Sequence, residues 1–213
     1  MACKICETRR ARRRCPGVGG EICPVCCGTE RENSVSCPLD CEYLRDARRR
    51  EKPREIDPES VPNSDIQVSE KFLEDRPVLT GAMMHGLVTM ALGTPGVVDL
   101  DVREALDSLV RTYRTLVGGL YYESKPANPL AARICELMQK GLEEFRKSSA
   151  ERLGVATIRD ADILGVLVFF QHLELQLNNG RRRGRAFLDF LLQQIGTVVG
   201  SAGARSRPLL VLP

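Results

Sequence analysis

The sequence predicts a mainly α-helical protein, with a small cysteine-rich module ahead of a four- to five-helix antiparallel bundle. Three observations lead there. Eight of the nine cysteines fall within the first 41 residues. From Ile66 to about Val199, apolar residues recur at alternating three- and four-residue steps, the period of a helix with one buried face. The same stretch has almost no period-two alternation and no internal repeat, so strands are not expected there. With 43% hydrophobic and 28% charged residues, the composition is that of a folded globular chain. No apolar run approaches the ~20 residues of a membrane span, and the expected location is cytoplasmic.

Four regions separate by composition: a cysteine-rich head over 1–43, a charged, proline-containing linker over 44–65, a helical bundle over 66–199, and a flexible tail over 200–213. The first part of the linker continues a short helix from the Cys37–Cys41 segment. Pro53, Pro58 and Pro62 then favour an extended connection.

Within the bundle, a helix starts at Pro77 and stops before Thr94-Pro95-Gly96. Asp99 or Asp101 caps the next, whose stripe is Val102, Leu106, Leu109, Tyr113, Leu116 and Leu120. Asn128-Pro129 starts a third, with Ile134, Met138, Leu142 and Phe145 on one face. Asp160 or Asp162 opens a run that is apolar nearly all round and therefore central, ending at Asn179-Gly180. Arg185–Ile195 forms the last. Short connections favour antiparallel neighbours.

The head carries the chemistry. Cys3-Lys-Ile-Cys6 and Cys23-Pro-Val-Cys26 are two Cys-x₂-Cys turns separated by sixteen residues. Each turn presents two sulfurs to one metal, and zinc takes four in a tetrahedron. Cys15, Cys27, Cys37 and Cys41 remain, enough for a second ion. No export signal is expected, and in a reducing compartment such clustering favours metal over disulfides. Cys26 and Cys27 are adjacent, so their side chains diverge and serve different ions. Two partitions stay open. Cys3, Cys6 and Cys23 take either Cys26 or Cys27, and Cys15, Cys37 and Cys41 take the other. All-cysteine sites are closed, which makes both zinc ions structural. Zinc release as a redox sensor is the lesser reading, and iron–sulfur spacings differ from these.

The partition that puts Cys27 with Cys3, Cys6 and Cys23 resembles the cross-brace zinc fingers of the HIT and MYND types, with Cys3/Cys6 first, Ile22 before Cys23/Cys27, and Cys37/Cys41 as the late pair. The chain departs from that pattern at Gly17-Val18, where a second Cys-x₂-Cys would be completed, and at Cys37, where histidine is common. Over the whole chain, ICPVCCGTERE, CPLDCEYL and RGRAFLDFL resemble bacterial proteins that join such a head to a helical domain. That resemblance implies no activity.

Net charge is only +3, but residues 1–54 hold 13 Lys/Arg against 8 Asp/Glu. Eight thiolates and two Zn²⁺ would bring that excess close to neutral. The arginines in question are Arg9, Arg10, Arg12, Arg13 and Arg14, followed by Arg48–Arg50, and then Arg181, Arg182, Arg183 and Arg185. They either balance thiolates and line a loop or grip nucleic-acid phosphates. Few aromatics accompany them, and tryptophan is absent, so base stacking is poorly provided for.

His85 and His172 sit in apolar helices without metal spacing, and Cys135 reads as a small buried hydrophobe. Gly17–Gly20 and Gly93–Gly96 lack the Lys-Ser/Thr or strand–turn–helix context of a nucleotide site. No catalytic residues are assigned, and no enzyme is expected. The tail ends in Arg207-Pro-Leu-Leu-Val-Leu-Pro213, an apolar peptide suited to a partner's groove. The expected function is that of a zinc-binding adaptor acting through protein–protein contacts, the alternative being a nucleic-acid-associated zinc factor.

Overall fold

Prolines and acidic residues set where the helices begin, and the computed structural model, which describes residues 1–52, 55–153 and 158–201, follows most of those signals. In the head, strands β1 (Arg13–Cys15) and β2 (Gly20–Ile22) form an antiparallel hairpin, with Arg13 opposite Ile22 and Cys15 opposite Gly20. Helix α1 (Pro24–Glu30) and helix α2 (Glu42–Arg48) complete it. The connection to the body contains one 3₁₀ turn at Pro58–Ser60 and then returns to the protein. There Asn63 donates to Gln171 at 2.6 Å, and the Pro62 carbonyl accepts from the His172 ring at 2.7 Å. His172 is thereby satisfied as a boundary residue. His85 lies on an exposed helix face.

The body holds α3 (Glu70–Glu74), α4 (Pro77–Gly93), α5 (Asp99–Val117), α6 (Pro129–Leu153), α7 (Asp160–Leu177) and α8 (Ala186–Ser201). Every residue of α7 from Ile163 to Glu174 except His172 is buried, as its unbroken apolar run requires. Helix α5 packs on α6 and α7, and α4 packs on α6 and α8. Phe170, Phe187, Leu106, Leu167 and Leu191 are among the largest side chains shut completely from solvent. Cys135 belongs to this core and donates to the Ala105 carbonyl at 3.4 Å. Burial pushes its thiol up to about 12.

Two details differ from the sequence expectation. Helix α5 ends at Val117, and Gly119 takes φ +80°, so the chain turns away before Leu120, which stands 71% exposed rather than on the buried stripe. Residues 118–128 then run back along α5: Ser124 N–H donates to Thr112 at 2.9 Å, and Asn128 reaches Asp101 at 2.7 Å. Because that return delivers the chain to the start of α5, α6 runs beside α5 in the same direction. Short connections had suggested an antiparallel pair. Helix α7 does oppose α5, through Arg103–Glu174 at 2.7 Å and Gln171–Asp107 at 2.5 Å.

The two acidic residues expected to cap α5 divide their labour differently. Val98 holds the cap position, and Asp101 reaches back to accept its N–H at 2.8 Å. Asp99 is buried and accepts instead from the first amides of α8, Phe187 at 3.0 Å and Leu188 at 3.2 Å. Burial outweighs those donors and raises its carboxyl to about 7. Three helix starts, those of α5, α6 and α8, are thus tied together at one corner.

Gly165 on α7 exists because of a close approach. A Cβ there would lie 2.4 Å from the Phe72 ring. That ring is itself held under the Arg76 guanidinium at 4.1 Å, and Arg76 pairs with Asp162 at 2.8 Å. Alanine normally gains ~1 kcal/mol over glycine within a helix, but overpacking costs about 1–3 kcal/mol. Gly165→Ala is therefore expected to lower stability in urea denaturation, and a stabilised variant would contradict this packing.

Candidate metal centre

The first site is built from two short turns. Pro24 starts α1 immediately after Cys23, so Cys23 occupies the N-cap and its Sγ accepts the Cys26 N–H at 3.4 Å. That places Cys26 one turn along, facing the same point. On the opposite wall, Cys3 N–H donates to the Arg9 carbonyl at 2.9 Å and Glu7 N–H to the Cys3 carbonyl at 2.8 Å, bending the chain so that Cys6 comes back beside Cys3. Glu7 takes φ +57° to make that bend. The Cys23 N–H then donates to Cys3 Sγ at 3.1 Å, joining the two turns.

Four sulfurs result, those of Cys3, Cys6, Cys23 and Cys26, all within 4.8 Å of one another. A tetrahedral zinc with Zn–S near 2.3 Å needs sulfurs about 3.8 Å apart, and this group fits that demand. The electrostatics agree. The Thr8 hydroxyl leads in holding the Cys6 thiol down to about 5, while desolvation and the crowded sulfurs push Cys26 up to about 12. The four cannot all ionise side by side without a cation among them. Arg9 adds one positive charge, which the nearby Cys23 sulfur favours.

Of the two partitions open from the sequence, this grouping is the one with Cys26 and not Cys27. The choice follows from α1: Cys26 sits three residues after its cap and faces back towards it, whereas Cys27 is rotated about 100° further round. Cys27 receives the Arg13 guanidinium at 3.3 Å instead.

The other four cysteines, Cys15, Cys27, Cys37 and Cys41, line one common cavity of about 20 Å³ together with Arg13 and Tyr43. That is room for roughly one water-sized particle. They do not close to the spacing of the first set; among the described residues no second group of that tightness occurs. Cys15 ends β1 and Cys41 caps α2. Cys37 is buried, which raises its thiol, with Cys15 and Cys41 near enough to add to the effect. Gly17 lets this side assemble, since a Cβ there would fall 2.5 Å from the Ser36 carbonyl. The sequence marked Gly17-Val18 as a departure from the cross-brace pattern; here glycine is what allows the first hairpin to lie against residues 35 and 36.

No protein-family model matches the chain, and neither a curated protein nor a solved structure shows significant similarity to it. The head's four-sulfur group therefore stands on its own geometry.

The arginine runs separate into engaged and exposed members. Arg9 and Arg13 face sulfurs, and Arg13 also lies over the Tyr43 ring at 4.5 Å. Arg10, Arg12 and Arg14 are exposed. In the third run, Arg181 donates to the Arg31 carbonyl at 2.5 Å and Arg185 to the Cys37 carbonyl, while Arg182 and Arg183 are exposed.

Glu32 was not singled out by sequence. It is fully buried at 0% exposure, with φ +53°. It accepts from Arg48 at 2.6 Å, Asn179 at 2.9 Å and the Arg185 N–H at 3.1 Å. Arg48 also pairs with Asp189 on α8. A signal for Arg48 was present, because Cys41, Leu44 and Arg48 share one helical face and Leu44 is buried. Nothing local to Glu32 marks it.

No described helix is long and apolar enough to cross a membrane. The peptide 207–213 lies outside the described residues.

Proposed function

We propose that the chain is a non-enzymatic, cytoplasmic adaptor whose head is a structural two-zinc module and whose helical body is a scaffold for protein–protein contacts. The observation that carries the metal reading is the group of four sulfurs within 4.8 Å. Zinc is the ion that best suits an all-sulfur tetrahedron in a reducing compartment. Cys3, Cys6, Cys23 and Cys26 would hold one ion, and Cys15, Cys27, Cys37 and Cys41 the other. When bound, zinc supplies folding energy and leaves no open position for substrate.

Adaptor function is supported by Leu120, Tyr121 and Tyr122, three consecutive large side chains 70–74% exposed at the turn after α5. Exposed apolar groups gathered in this way mark contact surfaces. The apolar peptide 207–213 supplies a second contact in this reading.

A second reading keeps some support. Arg10, Arg12 and Arg14 are exposed on the head, and Arg182 and Arg183 on the loop before α8, a set suited to phosphates. If nucleic acid is the partner, binding falls steeply with salt and weakens when Arg12 and Arg14 become alanine.

Elemental analysis of protein prepared under reducing conditions tests the metal reading, with close to two zinc per chain expected. One ion would remove the Cys15/Cys27/Cys37/Cys41 site, and none would remove both. Loss of a captured protein partner on Tyr121→Ser/Tyr122→Ser, or on deletion of 206–213, tests the adaptor reading.

A further inference from the structure

We infer that Glu32 latches the head onto the helical body, and that the latch is held shut by metal in the Cys15/Cys27/Cys37/Cys41 set. The inference rests on the second zinc site proposed above, and it adds how that site is read by the rest of the protein.

The segment 31–37 lies between two of the proposed ligands, Cys27 and Cys37. Five donors seize it. The Arg183 N–H donates to the Glu32 carbonyl at 2.7 Å and the Arg185 N–H to its carboxylate at 3.1 Å. Asn179 donates to the other carboxylate oxygen at 2.9 Å. Arg181 and Arg185 place their guanidinium groups on the Arg31 and Cys37 carbonyls. All five come from residues 179–185 of the body, a loop shaped by Gly180 at φ +72° and by Gly184, where a Cβ would fall 2.5 Å from Asn179 Oδ1. Arg48 closes the remaining side by bonding Glu32 at 2.6 Å.

The loop is equally fixed from behind. Asp99 N–H donates to the Gly184 carbonyl at 2.9 Å, and its carboxylate holds the first amides of α8. The loop is therefore a preformed receptor, and the head segment is its ligand.

What shapes that ligand is the spacing of Cys27 and Cys37. The left-handed turn at Glu32 is closed by the Asn33 and Val35 N–H groups on the Glu30 carbonyl, each at 3.1 Å, and pinning both ends of the segment would hold that strained backbone and keep the Cys37 carbonyl aimed at Arg185. An ion held by Cys27 and Cys37 would pin them. Without it, the segment would keep its turn on the Glu30 carbonyl, the small cluster of Val35, Cys37 and Leu44, and its bonds to the loop, with neither end fixed by ligation. Metal loss would then free the segment from the loop, leaving the Arg181 and Arg185 guanidinium groups without their carbonyl partners beside the exposed Arg182 and Arg183.

Hydrogen exchange on the full chain, in reducing buffer and with metal content measured on the same samples, tests this. After chelation, the Arg183 and Arg185 amides are expected to exchange at least about tenfold faster, while α5 and α7 keep their protection. Glu32→Gln should produce the same acceleration with metal content unchanged. Should that variant fold poorly, Asn179→Ala carries the same expectation. Unchanged exchange at both amides after complete metal removal would overturn the coupling. A chain that binds only the first ion overturns both the second site and its control of the latch. In that case acceleration in Glu32→Gln alone would show a latch without metal control.

Discussion

Cys23→Ser is expected to collapse the head while leaving the helical body folded, and to remove one zinc. Cys23 does two things at once. Its sulfur belongs to the four-sulfur group, and it caps α1 by accepting the Cys26 N–H. Serine preserves the cap, since its hydroxyl is a good N-cap acceptor, but it is a far poorer zinc ligand. The variant therefore separates metal ligation from capping. Structural zinc in small domains contributes about 10–16 kcal/mol of apparent binding free energy, far more than a 40-residue head can gather from the small clusters around Ile22 and Val35. Circular dichroism should show α5–α8 intact, limited proteolysis should cut within 1–40, and metal content should fall by one ion. A Cys37→Ser variant should also lose one ion, the other one. Retention of full metal content in either variant would refute the assignment of that cysteine as a ligand.

Arg48→Ala is expected to cost about 3–5 kcal/mol, among the largest losses available from a single surface-reaching side chain. Arg48 bonds Glu32, which is wholly buried, and Asp189, which is 6% exposed. Removing the guanidinium leaves two carboxylates in low dielectric without their cation, and breaking a buried pair by deleting one partner carries a penalty of that size. Adding Glu32→Gln and Asp189→Asn to Arg48→Ala should recover much of the loss, because the unpaired charges go as well. Chemical denaturation of the single and triple variants measures this, and a single variant within about 0.5 kcal/mol of the parent would show that the pair is a solvated surface bridge.

Much of the molecule was legible from sequence for local reasons. Cys-x₂-Cys reads directly because two sulfurs on one turn need no information from elsewhere in the chain. The starts of α4, α6 and α7 read from Pro77, Pro129 and Asp160, each a signal contained within one helical turn. The failures are all cases where a residue's role is set by a distant partner. Asp99 reads as a cap for its own helix, yet its oxygens serve amides 88 and 89 residues away. Leu120 continues the apolar period of α5 on paper, but the glycines before it break the helix first. Glu32 reads as one acid among several, and its burial comes from a loop near the other end of the chain. The choice between Cys26 and Cys27 needed the axis of α1, which alternation on an extended segment does not supply.

The separation between Glu32 and Arg185, 153 residues, has a consequence for how the protein is made. At translation rates of about 5–20 residues per second, the head leaves the ribosome on the order of 10 s before the loop that receives Glu32 has been synthesised. Through that interval the cysteines can already gather metal, but the carboxylate has no seat. The finished protein thus joins an earlier-made segment to one made 153 residues later, and a chain stopped before residue 179 would carry a head whose Glu32 anchor has no seat, a ready mark of an unfinished molecule.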